Sequence, residues 1–168
     1  MFEIDFLAVG DGAQSGDAIA MRFTRPDDGQ LVHVIIDAGF KQSGRDLVDH
    51  FVSCYGVDTV DLLILTHPDG DHIGGMGVVL EELQVGALVA HDLAAHGGAA
   101  LPAAAATREL IALAKRKGTT VREPFEGAEA FGGALLVAGP LRASTRPWSP
   151  RSYLLRRPGR ARRSPRAP

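Results

Sequence analysis

The stretch Leu62-Leu63-Ile64-Leu65-Thr66-His67-Pro68-Asp69-Gly70-Asp71-His72-Ile73-Gly74-Gly75 decides how the chain is read. An apolar run, Val60 to Leu65, has the continuous character of a strand covered on both faces. It ends in a turn that places two His and two Asp within six positions, and a Gly pair then opens a helix. Two imidazoles and two carboxylates so close together form a donor set for metal ions. On an extended turn, His67 and Asp69 point to one side, and Asp71 and His72 reach a neighbouring position. That suits two metals ~3.5–4 Å apart, as in binuclear hydrolases. Pro68 stiffens the turn, and Gly70 offers a positive φ for a sharp reversal. Gly74-Gly75 allows close backbone approach, and the helix N-terminus there favours an anion such as phosphate. A calcium loop does not fit, because His is a poor calcium ligand.

Working back toward the N-terminus, Phe2 to Val9 alternates as a strand with one buried face. Gly10 to Asp17 is a turn-rich connection, and Ala18 to Thr24 is a second strand. Pro26-Asp27-Asp28-Gly29 signals a hairpin turn. Leu31 to Asp37 is a β-branched third strand ending in Asp37-Ala38-Gly39. From Gly44 to Tyr55, Leu47, Val48, Phe51 and Val52 fall at helical spacing, with Gly56 as C-cap. On the other side of the turn, Met76 to Leu83 is a helix and Ala87 to Ala90 a strand. Residues 93–106 are rich in Ala and Gly and carry little pattern. Thr107 is the expected N-cap of a helix to about Lys117. Thr119 to Val121 and Ala134 to Ala138 are further strands. A β-meander followed by β-α-β-α-β predicts an α/β layer structure.

The 168 residues, 45% apolar, suit one domain. No run approaches the ~18–20 apolar residues of a membrane span, and the acidic N-terminus is not a signal peptide. The single cysteine, Cys54, excludes an internal disulfide and fits the reducing cytoplasm. It reads as a small buried side chain on a helix. The net charge of −2 hides an asymmetry. Residues 142–168 hold nine Arg, five Pro and no acidic residue, whereas residues 1–141 hold all 20 acidic residues and nine basic ones. The expected division is therefore a folded domain at 1–141 and an Arg/Pro-rich disordered tail at 142–168. Three readings of the tail stand open: a nucleic-acid-binding arm, an inert solvated tail, and a shifted reading frame in GC-rich DNA.

The segment Thr66-His67-Pro68-Asp69-Gly70-Asp71-His72-Ile73-Gly74-Gly75 resembles the signature of the metallo-β-lactamase superfamily. The common form has His where this chain has Asp69. The Asp variant resembles the hydrolase domain of ComEC-type competence proteins and their free-standing relatives. Gly10-Asp11-Gly12 through Gly16-Asp17-Ala18-Ile19 resembles that group's Gly-Asp turn, and Ile35-Ile36-Asp37-Ala38-Gly39 its strand ending in Asp and Gly. The likeness covers roughly residues 2–140.

The resemblance implies an αββα sandwich and a metal-dependent hydrolase of phosphodiester or related ester bonds. Two zinc ions per intact site are implied, with manganese a competitor because two of four ligands are carboxylates. His67 and Asp69 would hold the first metal and Asp71 and His72 the second. Asp37 would orient a ligand from behind, and a hydroxide held by the metals would attack the substrate. Asp71 and Asp37 are thus the catalytic candidates. The substrate would be an anionic small molecule or nucleic acid, with no membrane involved. The superfamily's second half supplies further ligands, including a His, a bridging Asp and a final His. The last His here is His96. The expectation is therefore the N-terminal half of the sandwich, apparently truncated, with exposed apolar faces prone to self-association. Two alternatives stay open: an inactive or weakly metal-binding fragment, and a basic-tailed nucleic-acid-binding module. His91, ending a strand, could lie near the mouth of the site, and His96 is a weaker candidate. His33, mid-strand, and His50, mid-helix, read as structural.

Overall fold

A computed structural model describes residues 1–11 and 13–138, together with the backbone of residues 155–156. Strands β1 (Phe2–Phe6), β2 (Ala18–Thr24) and β3 (Leu31–Ala38) form the antiparallel meander. Strands β4 (Thr59–Ile64), β5 (Gln84–Val89) and β6 (Thr120–Arg122) then add in parallel. The six-stranded sheet has the spatial order β1-β2-β3-β4-β5-β6. The meander strands are joined by loops without helices, 7–17 and 25–30, and pair antiparallel, whereas each later strand returns through a helix.

Side-chain alternation along the strands gives the sheet two apolar faces. On one face Ala20 and Ile35 join a core built with three helices: α1 (Lys41–His50), α3 (Met76–Glu82) and α4 (Ala103–Arg116). Between α1 and α3 in sequence lies a one-turn helix, α2 (Gly70–Ile73). On the other face Met21, Phe23, Val32 and Val34 meet Leu135 of a small second sheet and Phe131 in the turn that joins two of its strands. That sheet comprises β7 (Glu129–Ala130), β8 (Leu135–Val137) and β9 (Leu155–Arg156). Helices, sheet and sheet are stacked as three layers, the α–β–β order of an αββα sandwich.

Helix α1 runs on as a π-helical turn, Phe51–Tyr55, and stops at Gly56 with φ of 73°. The expected glycine cap is therefore present. Asp5, on the helix side of β1, accepts hydrogen bonds from Tyr55 Oη at 2.6 Å and His50 at 3.0 Å. Tyr55 and His50 hold the Asp5 carboxyl below its ordinary pKa, and burial together with that contact pushes the Tyr55 phenol up. His33 is buried against Phe51 and Tyr55. Both histidines are structural, as read.

Four sequence readings need correction. Cys54 is exposed, because the π-helical turn rotates it off the core face. Thr107 is not an N-cap: α4 begins a turn earlier, and the buried Thr107 hydroxyl donates to Ala103 O within the helix. Four alanines at 103–106 supply helix propensity ahead of Thr107. The first strand ends at Phe6 rather than Val9. The short strand β7 was not anticipated. The stretch 142–168, with the questions of an Arg-rich arm or a shifted frame, lies outside the described residues except for Leu155–Arg156. There Val137 pairs with Leu155 and Leu136 with Arg156. Among the described residues no helix is long and apolar enough to cross a membrane.

Candidate metal centre

The site forms where β3 and β4 end side by side, pairing Ile36 with Ile64. Residues just beyond the carboxyl ends of parallel strands project into one crevice. Asp37, at the end of β3, is 1% exposed and holds φ at 55°. An Asp tolerates this left-handed conformation better than most residues, though it still costs energy. Its carboxylate faces the 66–72 segment. Oδ1 accepts the Thr66 N–H at 2.8 Å, and Oδ2 accepts His72 Nδ1 at 2.9 Å and the Thr66 hydroxyl.

The Thr66 hydroxyl, having donated to Asp37, accepts from His67 Nδ1 at 3.0 Å. One buried carboxylate thus fixes both histidines with the proton on Nδ1: His72 directly and His67 through Thr66. Both Nε2 lone pairs are left for other partners. Each faces a carboxylate: His67 Nε2 lies 3.6 Å from Asp69 Oδ2, and His72 Nε2 lies 3.6 Å from Asp71 Oδ2. Ligands ~2.1 Å from a tetrahedral ion stand roughly 3.4 Å apart, so both spacings are near those of a shared ion. The two imidazole centroids are 3.7 Å apart. Asp37, His67 and His72 each offer a ligand atom within 4.8 Å of the others. Burial pushes the Asp37 carboxyl above its ordinary pKa, opposed by the Thr66 and His72 hydrogen bonds.

The turn is extended through Asp69, as expected, but becomes helical from Gly70. Asp71 and His72 lie in α2, which starts after the extended Asp69. Gly70 is absent from the positive-φ glycines and has open space around its Cα, so the reversal does not need its freedom. The Gly pair does permit close approach. A Cβ on Gly75 would meet Ala38 O at 2.1 Å and the Gly44 Cα at 2.7 Å. Its role is to seat α3 against α1 and the end of β3. Helix α3 has only seven residues, so the anion site imagined at its N-terminus has no support.

The structure groups Asp37, His67 and His72 and sets Asp69 beside His67 and Asp71 beside His72. Two contributors lie in the quoted motifs but were given no role by sequence reasoning. Thr66 is the relay just described. Asp17 places Oδ2 3.8 Å from His72 Nδ1, and its N–H donates to Asp71 O at 3.3 Å. A Cβ on Gly16 would sit 2.1 Å from Asp71 O, which is why glycine precedes Asp17. The Gly16-Asp17 dipeptide was the available signal, but nothing local placed it beside a motif 50 residues away. His91 does not join this cluster; it groups with His96 and Glu123.

A sequence model of the metallo-beta-lactamase superfamily matches residues 13–145, most of the chain. The chain belongs to the metallo-beta-lactamase superfamily. Among solved structures, a metallo-beta-lactamase-type protein from Thermotoga maritima superposes with a TM-score of 0.54 at 15% identity. The match covers 82% of this chain and 65% of that one. A beta-lactamase domain protein from Burkholderia ambifaria gives 0.51 at 17% identity, covering 80% and 46%. At such identities the likeness shows the fold alone. The chain spans less than two thirds of the length of either structure. No curated protein matches the sequence. Metallo-beta-lactamase superfamily proteins are generally hydrolytic and usually bind divalent metals, and the donor set here fits such ions.

Proposed function

We propose that this superfamily member is a metal-dependent hydrolase of a phosphodiester or related ester, using His67, Asp69, Asp71 and His72 as metal ligands. The observation that carries the reading is the shared Nδ1 anchoring. Asp37 and Thr66 turn both imidazoles so that each Nε2 faces a carboxylate at 3.6 Å. A site meant only for internal hydrogen bonding has no need to leave both lone pairs outward.

His67 with Asp69 would hold one ion and Asp71 with His72 a second, zinc or manganese. Bound there, a divalent ion supplies Lewis acidity toward a water nucleophile and an ester oxygen. The chain's own part is positional. Asp37 keeps the His72 proton on Nδ1, Thr66 does the same for His67, and the Asp17 loop packs the Asp71 backbone in place. Asp71, beside His72, is the carboxylate assigned to meet a nucleophile on the strength of the family resemblance. The Asp at position 69, where the superfamily's common form has His, supports assignment to the ComEC-type subgroup. A cytoplasmic setting belongs to the same reading, on the strength of the single cysteine.

A second reading has its own observation. The chain spans 65% and 46% of its structural neighbours, and no His follows His96. On this reading the donors at 67–72 hold metal only weakly by themselves, and turnover is slow.

Metal analysis after purification, paired with hydrolysis of bis(p-nitrophenyl) phosphate, tests both. Turnover together with two tightly held ions that are both lost in Asp71→Ala/His72→Ala supports the hydrolase. Substoichiometric metal without turnover supports the weak form. Metal content unaffected by the double substitution would overturn the site.

A further inference from the structure

A second donor cluster lies one strand further along the sheet. Strands β5 and β6 end in register, with Val89 opposite Arg122 and Ala90 N–H donating to Arg122 O. His91 and Glu123 therefore leave the carboxyl ends of adjacent strands. The turn after His91 brings His96 back to them. Asp92 organises it, accepting the Ala94 N–H at 3.0 Å, and Gly98 N–H closes on Leu93 O at 2.7 Å. Leu93 anchors the turn at 1% exposure. Glu123 Oε1 accepts the Asp92 N–H at 2.9 Å, which fixes the carboxylate.

His96 Nε2 is 3.1 and 3.2 Å from the two Glu123 oxygens, and His91 offers a ligand atom within 4.8 Å of both partners. Phe125 walls the cluster, its ring 5.2 Å from that of His91 and 6.3 Å from that of His96. A plain His96–Glu123 ion pair needs neither the buried His91 nor a hydrophobic wall. Two imidazoles, one carboxylate and a coordination position left to solvent make up the three-ligand zinc set. The imidazoles disfavour calcium and magnesium.

We propose that His91, His96 and Glu123 bind a divalent transition-metal ion, zinc foremost, separately from the His67–His72 centre. The ion would staple the 92–98 turn to the end of β6. A narrow cavity bounded by Thr66, His67, Pro68, His91, Leu93 and Thr107 lies between the two clusters. Ordering the turn therefore also braces the wall behind His67.

The test uses the full chain, stripped with chelator, in a His67→Ala/His72→Ala background that disables the first centre. Zinc is titrated in, and bound metal is measured after desalting alongside the melting temperature. One retained zinc and a zinc-dependent rise in melting temperature are expected. Adding His96→Gln/Glu123→Gln, both partly exposed positions, should lower affinity at least tenfold and abolish the rise. His96→Cys, which restores a zinc ligand, should recover both. No zinc on the folded background protein, or zinc binding indifferent to the added pair, overturns the proposal. The first centre is scored independently in His96→Gln/Glu123→Gln with the 67–72 motif intact, so failure of either site is told apart from failure of the other.

Discussion

His72 Nδ1 donates to Asp37 Oδ2 across 2.9 Å of space and 35 residues of chain. This one bond joins the end of β3 to the motif after β4, and it decides which imidazole nitrogen is left for a metal. Asp37→Asn keeps the shape and tolerates the positive φ, but its amide cannot accept from three donors at once. We expect zinc affinity at the His67–His72 centre to fall by roughly 10–100-fold. Competition against a chromophoric chelator reads this, with circular dichroism confirming the fold. Unchanged affinity would remove Asp37 from the orienting role.

Thr66→Val tests the relay to the other histidine. The substitution is nearly isosteric, yet it removes the hydroxyl that accepts from His67 Nδ1 and donates to Asp37. His67 then loses its tautomer control while His72 keeps its own. The same competition assay should show one site weakened about tenfold and the other little changed. Equal loss at both would mean that Thr66 acts through Asp37 alone.

Stability should fall on mild acidification because of His33. Burial lowers its pKa, with Asp61 opposing the shift and Arg22 adding to it. Its buried Nε2 has no hydrogen-bond partner among the described residues. A folded-state pKa below the unfolded value of about 6.5 means the unfolded chain binds the proton first. Stability is therefore full above that pH and declines as pH falls through it. Urea titrations at successive pH values read the slope. His33→Phe, which keeps an aromatic ring beside Phe51 and Tyr55, should flatten it.

Gly75→Ala should be costly for so small a change. The added methyl would meet Ala38 O and Gly44 backbone atoms, which flexible side chains cannot relieve. Overpacking of this kind typically costs about 1–3 kcal/mol, and backbone-on-backbone contact belongs at the upper end. The midpoint of chemical denaturation should drop accordingly. Gly70→Ala, in open space without positive φ, is the control and should be near neutral.

The outer edge of the sheet predicts association. Phe2, Ile4 and Phe6 present one apolar stripe on edge strand β1, with Phe6 75% exposed. An exposed apolar edge invites pairing with another chain. Sedimentation should show concentration-dependent self-association that Phe6→Lys reduces.

Much of the fold was legible because each period switch coincided with a change of element. Ala18–Thr24 was read to its true ends, and Leu31–Asp37 fell one residue short. The motif itself was legible from donor density alone. What escaped depended on distance or on weak patterning. Asp17 and Thr66 lie in the quoted motifs, but only the packing of loop on motif gives each its role. The Ala-rich start of α4 lacked amphipathic contrast, so its boundary was placed at the first polar capping type, Thr107. The helical α2 was missed because Gly70 and Asp71 are poor helix formers and tertiary contacts override that preference. The His91–His96–Glu123 group could not be seen at all without knowing that β5 and β6 are neighbours.

The strand order β1-β2-β3-β4-β5-β6 repeats the order of the chain itself. Each strand leaving the ribosome thus finds its partner already laid down, and the open edge awaiting it is the one it will occupy. No strand has to be inserted between two others, so the sheet can grow by accretion as synthesis proceeds. Every donor of the first metal centre lies between Asp17 and His72, so its ligands are all made before β5 and β6.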